Sequence, residues 1–250
     1  MTNKYTYFIA NWKMYGDLKS LNSLNKVIKF SRQNKRKKLR IIYCPPYTLL
    51  NSFAKKIKKT NIELGAQNCH SEILNGPFTG SISPSMLKRI GSKYVIIGHS
   101  ENRSTGENDY QINKKIKSSI SSGLKIIFCI GETLKEKRRK LTKKILRSQI
   151  IKGIPKTKNL KNILIAYEPV WSIGTGIVPK INDLEKNIAY IKLILKKQIK
   201  IKNPIVLYGG SVSSKNVRNL ASINNIDGFL VGSASLNAKN FIDILKKTII

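Results

Sequence analysis

The sequence predicts an α/β fold, namely a closed (β/α)8 barrel of eight parallel strands ringed by helices. Short apolar runs rich in β-branched residues recur eight times along the 250 residues, and helix-length amphipathic segments lie between them. No dinucleotide-binding glycine fingerprint supports an open, doubly wound sheet. Strands that are apolar on both faces indicate a parallel sheet covered by helices, and eight such units in a chain of this length suit a closed barrel.

Each predicted strand is followed by polar or glycine-rich turn residues. In chain order the strands are Tyr5–Ala10, Arg40–Cys44, Ile62–Ala66, Tyr94–Gly98, Lys125–Ile130, Ile163–Tyr167, Ile205–Tyr208 and Gly228–Val231. Between them, apolar residues at helical spacing among lysines predict helices packed on one side. Examples are Leu18–Phe30, Asp109–Ser121, Ile181–Lys197 and Ala238–Ile249.

One insertion is too long for an ordinary strand-to-helix loop. It runs from Gln67 to Ser83, after the third strand, and we expect it to project from the barrel. No low-complexity linker and no change of composition divides the chain. The sequence therefore predicts a single barrel domain over residues 1–250.

The net charge of +34 comes from 47 Lys and Arg against 13 Asp and Glu. Such a charge can indicate a protein that binds nucleic acid or another polyanion. The lysines are spread through every segment, however, and neither an aromatic RNA-binding strand nor paired zinc ligands accompany them. We interpret the charge as a compositional bias and expect no specific nucleic-acid partner.

The three cysteines, Cys44, Cys69 and Cys129, are far apart and are not spaced as metal ligands. This usage predicts reduced thiols in a reducing compartment. The amino terminus lacks an apolar signal core, and no window approaches the roughly 18 apolar residues of a membrane span. We therefore expect a cytoplasmic protein with no membrane partner.

Polar residues stand where several predicted strands end, and in barrels of this kind active sites form at those ends. The candidates are Asn11-Trp12-Lys13, His99-Ser100-Glu101, Glu168, Gly209-Gly210-Ser211 and Gly232-Ser233. Taken singly, each has a structural explanation, such as a core histidine, a helix cap or a tight turn. Together, an ammonium, an imidazole, a carboxylate and two glycine-rich turns converge on one mouth, which predicts an active site.

At these positions the chain resembles the triosephosphate isomerase family. The matching motifs are N-W-K-M at Asn11–Met14, G-H-S-E at Gly98–Glu101, C-I-G-E at Cys129–Glu132, Y-E-P-V-W-S-I-G-T-G at Tyr167–Gly176, Y-G-G-S-V at Tyr208–Val212 and D-G-F-L-V-G at Asp227–Gly232. The resemblance runs from the first strand to the last. It implies a TIM-barrel isomerase of glycolysis and gluconeogenesis that interconverts dihydroxyacetone phosphate and D-glyceraldehyde 3-phosphate through an enediolate, without a metal or an organic cofactor.

The resemblance also implies roles for individual residues. Glu168 would be the base that removes the carbon-bound proton, and His99 would face the substrate oxygens as a neutral imidazole. Lys13 would supply positive charge, with Asn11 hydrogen-bonded beside it. Backbone N–H groups would hold the phosphate, and they belong to Gly174, Ser211, Gly232 and Ser233. Two further family positions have structural explanations, which are ion pairing or capping for Glu101 and core packing for Cys129.

The chain departs from the family pattern at a few positions. Ser233 stands where the family usually has a second glycine, and Ser172 replaces an alanine of the lid. Ile177 replaces a lysine near the far hinge, where Pro179 should stiffen the backbone. The Ser233 side chain either crowds the phosphate or points away from it, and the stiffened hinge predicts altered lid kinetics.

The resemblance further implies a homodimer in which the Gln67–Ser83 loop of one subunit lies beside the active site of the other. Thr79 of that loop is expected near the partner subunit's active site. Relatives often carry charges at the positions of Ser81 and Asn102, and both are uncharged here. We therefore expect an interface of packing and neutral hydrogen bonds.

Three alternatives remain open. A polyanion-binding module would gather its basic residues on one face. An inactive barrel retained as an interaction scaffold has no use for the intact set of Asn11, Lys13, His99 and Glu168. An isomerase for a different phosphorylated sugar would need more room than a small lid-closed pocket offers. The charge could also steer a dianionic substrate, in which case the rate falls with ionic strength.

Overall fold

The computed structural model describes residues 5–157 and 160–249, and its strands form one closed barrel in which every neighbouring pair is parallel. In chain order the strands are β1 (Thr6–Asn11), β2 (Leu39–Cys44), β3 (Ile62–Ala66), β4 (Tyr94–Ile97), β5 (Lys125–Ile130), β6 (Ile163–Tyr167), β7 (Ile205–Tyr208) and β8 (Gly228–Val231). The predicted closed barrel of eight parallel strands is confirmed. Of the predicted 1–250 domain, residues 1–4, 158–159 and 250 lie outside the described residues.

Three strands differ from prediction by one residue: β1 at both ends, β2 at its start and β4 at its end. β1 extends to Asn11 because this residue pairs with Cys44 of β2. β4 ends before Gly98, whose φ of 74° turns the chain out of the sheet. Hydrophobic periodicity does not mark the terminal residues of a strand, so strand ends are the least reliable part of a sequence prediction.

Helices surround the barrel on its outer face. They are α1 (Leu24–Gln33), α2 (Leu50–Ile57), α3 (Pro84–Ile90), α4 (Ser100–Ser104), α5 (Asp109–Ser121), α6 (Leu134–Arg138), α7 (Thr142–Gly153), α8 (Ile181–Lys197), α9 (Val217–Ala221) and α10 (Ala238–Thr248). α5 begins as predicted because Asn108 and Gln111 form a reciprocal capping box. The predicted Leu18–Phe30 helix begins instead as the short 3-10 helix Lys19–Ser23 and continues as α1.

Alternate residues of each strand face two different cores. One set, which includes Ile9, Ile42 and Ile127, packs together with Cys129 as a cluster that fills the barrel interior. The other set, which includes Phe8, packs against the ring of helices. Both faces of the sheet are therefore buried in apolar contacts, and polar groups lie at the open end, where the carboxyl ends of the strands meet.

The insertion after β3 projects as expected, since residues 72–81 are exposed. It is held by local contacts: the His70 ring stacks on Phe78 at 4.2 Å, and the His70 N–H donates to the Ile82 carbonyl at 2.8 Å. In the described part of the chain, no helix combines the length and the apolar character that a membrane crossing requires.

Candidate active site

The carboxyl ends of the strands surround a cavity of about 880 Å³. Every site residue predicted from the sequence lines it, namely Asn11, Lys13, His99, Glu168, Gly174, Ser211, Gly232 and Ser233. These residues come from the ends of β1, β4, β6, β7 and β8 and from the loop that follows β6. The structure therefore brings together all eight predicted site residues.

Glu168 directly follows β6 and is the buried carboxylate of the cavity. Its side chain is 3% exposed, and its Oε2 atom has no hydrogen-bond partner. Burial raises the pKa of Glu168, because the lost hydration outweighs the opposing electrostatic effects of His99 and Lys13. The raised pKa makes Glu168 a candidate proton acceptor.

Two glycines make room for Glu168, one beside its side chain and one beside its backbone. A β-carbon on Gly209 would lie 2.6 Å from Glu168 Cγ and 2.9 Å from its Oε1. A β-carbon on Gly131 would lie 1.8 Å from the Glu168 carbonyl oxygen. The glycine-rich turn after β7 is therefore explained by the close approach of Glu168.

His99 faces Glu168 across the cavity. Its Nδ1 atom accepts the Glu101 backbone N–H at 3.3 Å and thereby caps α4. A ring nitrogen that accepts a hydrogen bond carries no proton, so this contact assigns the proton of the neutral ring to Nε2. Nε2 lies 3.6 Å from Glu168 Oε1, which is longer than a direct hydrogen bond. Both groups therefore present free hydrogen-bonding capacity to the same volume.

Lys13 has a left-handed backbone, with φ of 52°. Such a conformation costs a non-glycine residue about 1–3 kcal/mol and persists only where its surroundings fix it. Gln67 Nε2 donates to the Lys13 carbonyl at 2.7 Å, and the Lys13 N–H donates to Asn11 Oδ1 at 3.1 Å. The Lys13 ammonium pairs with Glu101 Oε1 at 2.6 Å, so Glu101 has the ion-pairing role considered for it. Sequence reasoning did not assign the supporting role of Gln67.

A lid, defined here as residues 169–179, covers the cavity. Gly174 and Gly176 have φ of 70° and 77°, and Ile173 and Gly174 line the cavity wall. The Gly176 N–H donates to Ser211 Oγ at 3.0 Å, and Ser211 Oγ donates to the Ser172 carbonyl at 2.6 Å. The lid therefore rests against the turn that follows β7.

Glu132 anchors the start of the lid, a role that the sequence did not reveal. It is 1% exposed and accepts the Trp171 Nε1–H at 3.0 Å and the Tyr167 hydroxyl at 3.1 Å. Burial raises the pKa of Glu132 despite these hydrogen bonds. The only sequence signal for this role was the position of Glu132 at the end of the C-I-G-E motif, directly after β5.

The turn after β8 lies beside the lysine side chain. A β-carbon on Gly232 would lie 3.8 Å from Lys13 Cε. Ser235 Oγ donates to the Gly232 carbonyl at 2.7 Å, and Trp12 Nε1 donates to the Ser235 carbonyl at 3.3 Å. Asn216 and Asn240 also line the cavity but stand outside every motif, so no pattern could have identified them.

Cys129 belongs to the barrel interior, as expected of a packed thiol. It is 1% exposed, and burial raises the pKa of its thiol well above the ordinary value. A neutral thiol beneath a carboxylate supports packing rather than nucleophilic chemistry.

Known proteins match this chain along almost its whole length. The family model described as triosephosphate isomerase matches residues 6–248. The triosephosphate isomerase of Carboxydothermus hydrogenoformans is 41% identical, with 97% of this chain and 98% of that protein covered. That of Dictyoglomus thermophilum is 42% identical, with 95% and 97% covered. The crystal structure of triosephosphate isomerase from Bartonella henselae superposes with a TM-score of 0.87 at 34% identity and covers 97% of this chain and 98% of that one.

Proposed function

The chain belongs to the triosephosphate isomerase family and interconverts dihydroxyacetone phosphate and D-glyceraldehyde 3-phosphate, a step of glycolysis and gluconeogenesis; we propose that Glu168 is the base of this reaction. The observation that carries the proposal is the position of Glu168. This buried carboxylate has a raised pKa, and its Oε1 atom lies 3.6 Å from His99 Nε2 in the cavity. A base with a raised pKa accepts a carbon-bound proton more readily than an ordinary carboxylate.

In the proposed mechanism, Glu168 takes the proton from the hydroxyl-bearing carbon of dihydroxyacetone phosphate. The C–H electron pair forms the carbon–carbon double bond of an enediolate, and the carbonyl oxygen takes up the negative charge. Glu168 then returns the proton to the neighbouring carbon, while the proton of the first hydroxyl group passes through His99 to the former carbonyl oxygen, which yields the aldehyde. Protons and electrons balance among the substrate, the Glu168 carboxyl group and the His99 imidazole, so the exchange needs no redox partner.

His99 and Lys13 would stabilise the enediolate. The Nε2–H of His99 points toward the same volume as the carboxylate, so it can donate to one substrate oxygen and exchange a proton with it. The Lys13 ammonium supplies a fixed positive charge, with Asn11 holding its backbone. Donors fixed before the reaction stabilise developing charge without further reorganisation.

Backbone N–H groups would bind the phosphate, and they belong to Gly174, Ser211, Gly232 and Ser233. All four residues line the side of the cavity on which the lid and the turns after β7 and β8 meet. The proximity of Gly232 to Lys13 supports this location, because one ammonium can then reach both the enediolate and the phosphate. Lid closure would exclude water and hold the dianion.

The test is a coupled assay of D-glyceraldehyde 3-phosphate isomerisation with the wild type and Glu168→Asp. Withdrawing the carboxylate by one methylene should reduce kcat about 10²-fold or more, since a displacement near 1 Å has that effect on a positioned base. Glu185→Asp on the outer helix α8 is the matched control and should retain the wild-type rate. An unchanged rate in Glu168→Asp would exclude the base assignment, and an inactive folded wild type would exclude the proposed mechanism.

We further propose a homodimer through the Gln67–Ser83 loop. A groove of about 280 Å³ beside the active site is lined by residues that include Lys13, Met14, Gln67 and Asn102, and Met14 is 93% exposed there. The loop carries the exposed side chains of Leu74 and Phe78. An apolar loop and a groove next to a catalytic lysine are complementary surfaces for two copies of one chain.

Thr79→Asp would place a charge at the tip of that loop. We expect the variant to sediment as a monomer at concentrations where the wild type is a dimer, because an unpaired charge in an interface is costly. Ser222→Asp, beside α9, is the exposed control and should sediment as the wild type does. A wild type that sediments as a monomer at all concentrations would contradict the proposal.

We also propose a cytoplasmic location, a single domain and no specific nucleic-acid partner. The three cysteines are free and buried, which suits a reducing compartment. The +34 charge would then act through substrate steering, and kcat/KM should fall as ionic strength rises.

A further inference from the structure

Ser172 places a fully buried hydroxyl inside the lid, at a position where the family motif has alanine. The side chain is 0% exposed. Its Oγ atom lies 2.5 Å from the Ile177 carbonyl oxygen, 3.0 Å from the Tyr208 hydroxyl and 3.4 Å from the Ser211 backbone nitrogen. An alanine could make none of these contacts.

The direction of each hydrogen bond follows from the partners. The Ile177 carbonyl can only accept, so Ser172 donates its one proton there. The Tyr208 hydroxyl therefore donates to Ser172 Oγ, and the Ser211 N–H is a second, longer donor. One donated and two accepted hydrogen bonds use the full capacity of a hydroxyl group.

These contacts join the two arms of the lid to the body of the barrel. Ser172 precedes the lid glycines and Ile177 follows them, so the first hydrogen bond closes the lid on itself. Tyr208 ends β7 and Ser211 lies in the next turn, so the other two fix the lid to the sheet. The hydroxyl thus connects three segments and adds to the contacts of Gly176 with Ser211 and of Trp171 with Glu132.

Gly210 permits this arrangement. A β-carbon there would lie 2.2 Å from the Tyr208 hydroxyl oxygen and 2.6 Å from Ser172 Oγ. Burial, offset in part by the Ser172 hydrogen bond, raises the pKa of Tyr208 to about 12. The phenol accordingly keeps its proton at neutral pH and remains a donor to Ser172.

We propose that Ser172 is a positioning residue whose hydroxyl stabilises the closed lid and so slows the release of a bound phosphate. The inference rests on the proposed phosphate site, since the lid would cover that site. Ser172 itself does not line the cavity, so it would act through lid position rather than by contact with the substrate.

The experiment compares the wild type with Ser172→Ala, using inorganic phosphate as the ligand and 5-fluorotryptophan as the lid probe. The chain has two tryptophans, and Trp171 lies in the lid whereas Trp12 is buried at 1% exposure. Loss of one buried hydrogen bond should raise the phosphate Kd and the lid-opening rate by about threefold to tenfold. Without phosphate, the Trp12 signal should be the same in the two proteins.

Two further variants distinguish lid positioning from general destabilisation. Ser118→Ala removes a buried serine hydroxyl that bonds within α5 to the Lys115 carbonyl at 3.0 Å, and it should leave Kd and lid exchange unchanged. Tyr208→Phe should resemble Ser172→Ala, and the double variant should add little to either single change.

An unchanged phosphate Kd and Trp171 exchange rate in Ser172→Ala would overturn the inference, whatever happens to the melting temperature. Full additivity in the double variant would also overturn it. Neither readout depends on turnover. A wild type that binds phosphate but does not isomerise the triose would exclude the proposed mechanism and still leave the Ser172 effect measurable.

Discussion

Two buried glutamates lie at opposite ends of the barrel and have opposite surroundings. Near the start of β3, Glu63 accepts from Arg40 at 3.0 Å, from Lys93 at 3.2 Å and from the Tyr94 hydroxyl at 3.2 Å. At the end of β6, Glu168 Oε2 has no hydrogen-bond partner. The first carboxylate is neutralised on both oxygens, and the second is buried beside the cavity with one oxygen unpartnered.

The pKa shifts follow this difference. Burial acts to raise the pKa of Glu63, but hydrogen bonds from Arg40 and Lys93 outweigh it and lower the pKa. Burial also acts on Glu168, and there the pKa is raised. The same side chain therefore stabilises one end of the barrel and is available for proton transfer at the other.

The largest expected effect is that of Glu168→Gln. Loss of the proposed base should reduce kcat about 10²- to 10⁴-fold. The free energy of unfolding, measured by urea titration, should be unchanged or higher, because an uncompensated buried charge is removed. A variant that loses stability together with activity would place Glu168 among the structural residues and remove the contrast with Glu63.

Two glycine substitutions extend the contrast from charge to packing. Gly209→Ala would press on the Glu168 side chain and should lower kcat about 10²-fold while the protein stays folded. Gly228→Ala, at the opposite end, would place a β-carbon 2.0 Å from the Tyr7 carbonyl oxygen at a φ of 148°. It should cost about 3 kcal/mol of stability. Steady-state kinetics and urea titration of both variants test these predictions. A loss of stability in Gly209→Ala together with a loss of kcat in Gly228→Ala would refute them.

Glu63→Gln should affect stability without affecting the reaction. We expect a loss of about 2 kcal/mol, below the usual cost of breaking a buried ion pair because the Lys93 side chain is 60% exposed. The kcat value should stay within about twofold of the wild type, since Glu63 lies outside the residues of the cavity. A large fall in kcat at unchanged stability would contradict the structural role.

The smallest effect is a pH dependence of opposite sign for the two carboxylates. The lowered pKa of Glu63 contributes stability above its ordinary value of 4.5, and this stability is lost as pH falls through the folded-state pKa. The raised pKa of Glu168 makes ionisation costly above the folded-state pKa, and this cost disappears as pH falls toward 4.5.

Relative to the wild type, Glu63→Gln should therefore be less stable at neutral pH, and the deficit should shrink in acid. Glu168→Gln should show an advantage at neutral pH that also shrinks in acid. Urea titrations across a pH series measure both differences. A pair of differences with the same sign at neutral pH would show that the two environments are alike.

Much of the fold was predictable because its signals are local. Apolar runs and helical spacing lie within short windows, so five strands, β3 and β5–β8, have the predicted bounds. The site was predictable because a parallel barrel brings all strand ends to one mouth, which turns Lys13, His99 and Glu168 into neighbours.

Other features depend on long-range contacts that no local pattern encodes. The Gln67 amide reaches the Lys13 carbonyl across 54 positions and thereby supports a strained backbone. Glu132 meets Trp171 only once β5 and β6 have paired. The Ser172 position was recognisable as a departure, but its contact with Tyr208 at the end of β7 was not.

The most direct measurement of Glu168 as the base is hydrogen exchange with solvent during the reaction. Dihydroxyacetone phosphate is incubated in D2O with the wild type or with Glu168→Gln, and deuterium at the reacting carbons is measured by NMR. A carboxylate that removes and returns a carbon-bound proton should introduce solvent deuterium in the wild type, and Glu168→Gln should reduce that incorporation about 10²-fold or more. Incorporation at the wild-type rate in Glu168→Gln would show that another group is the base.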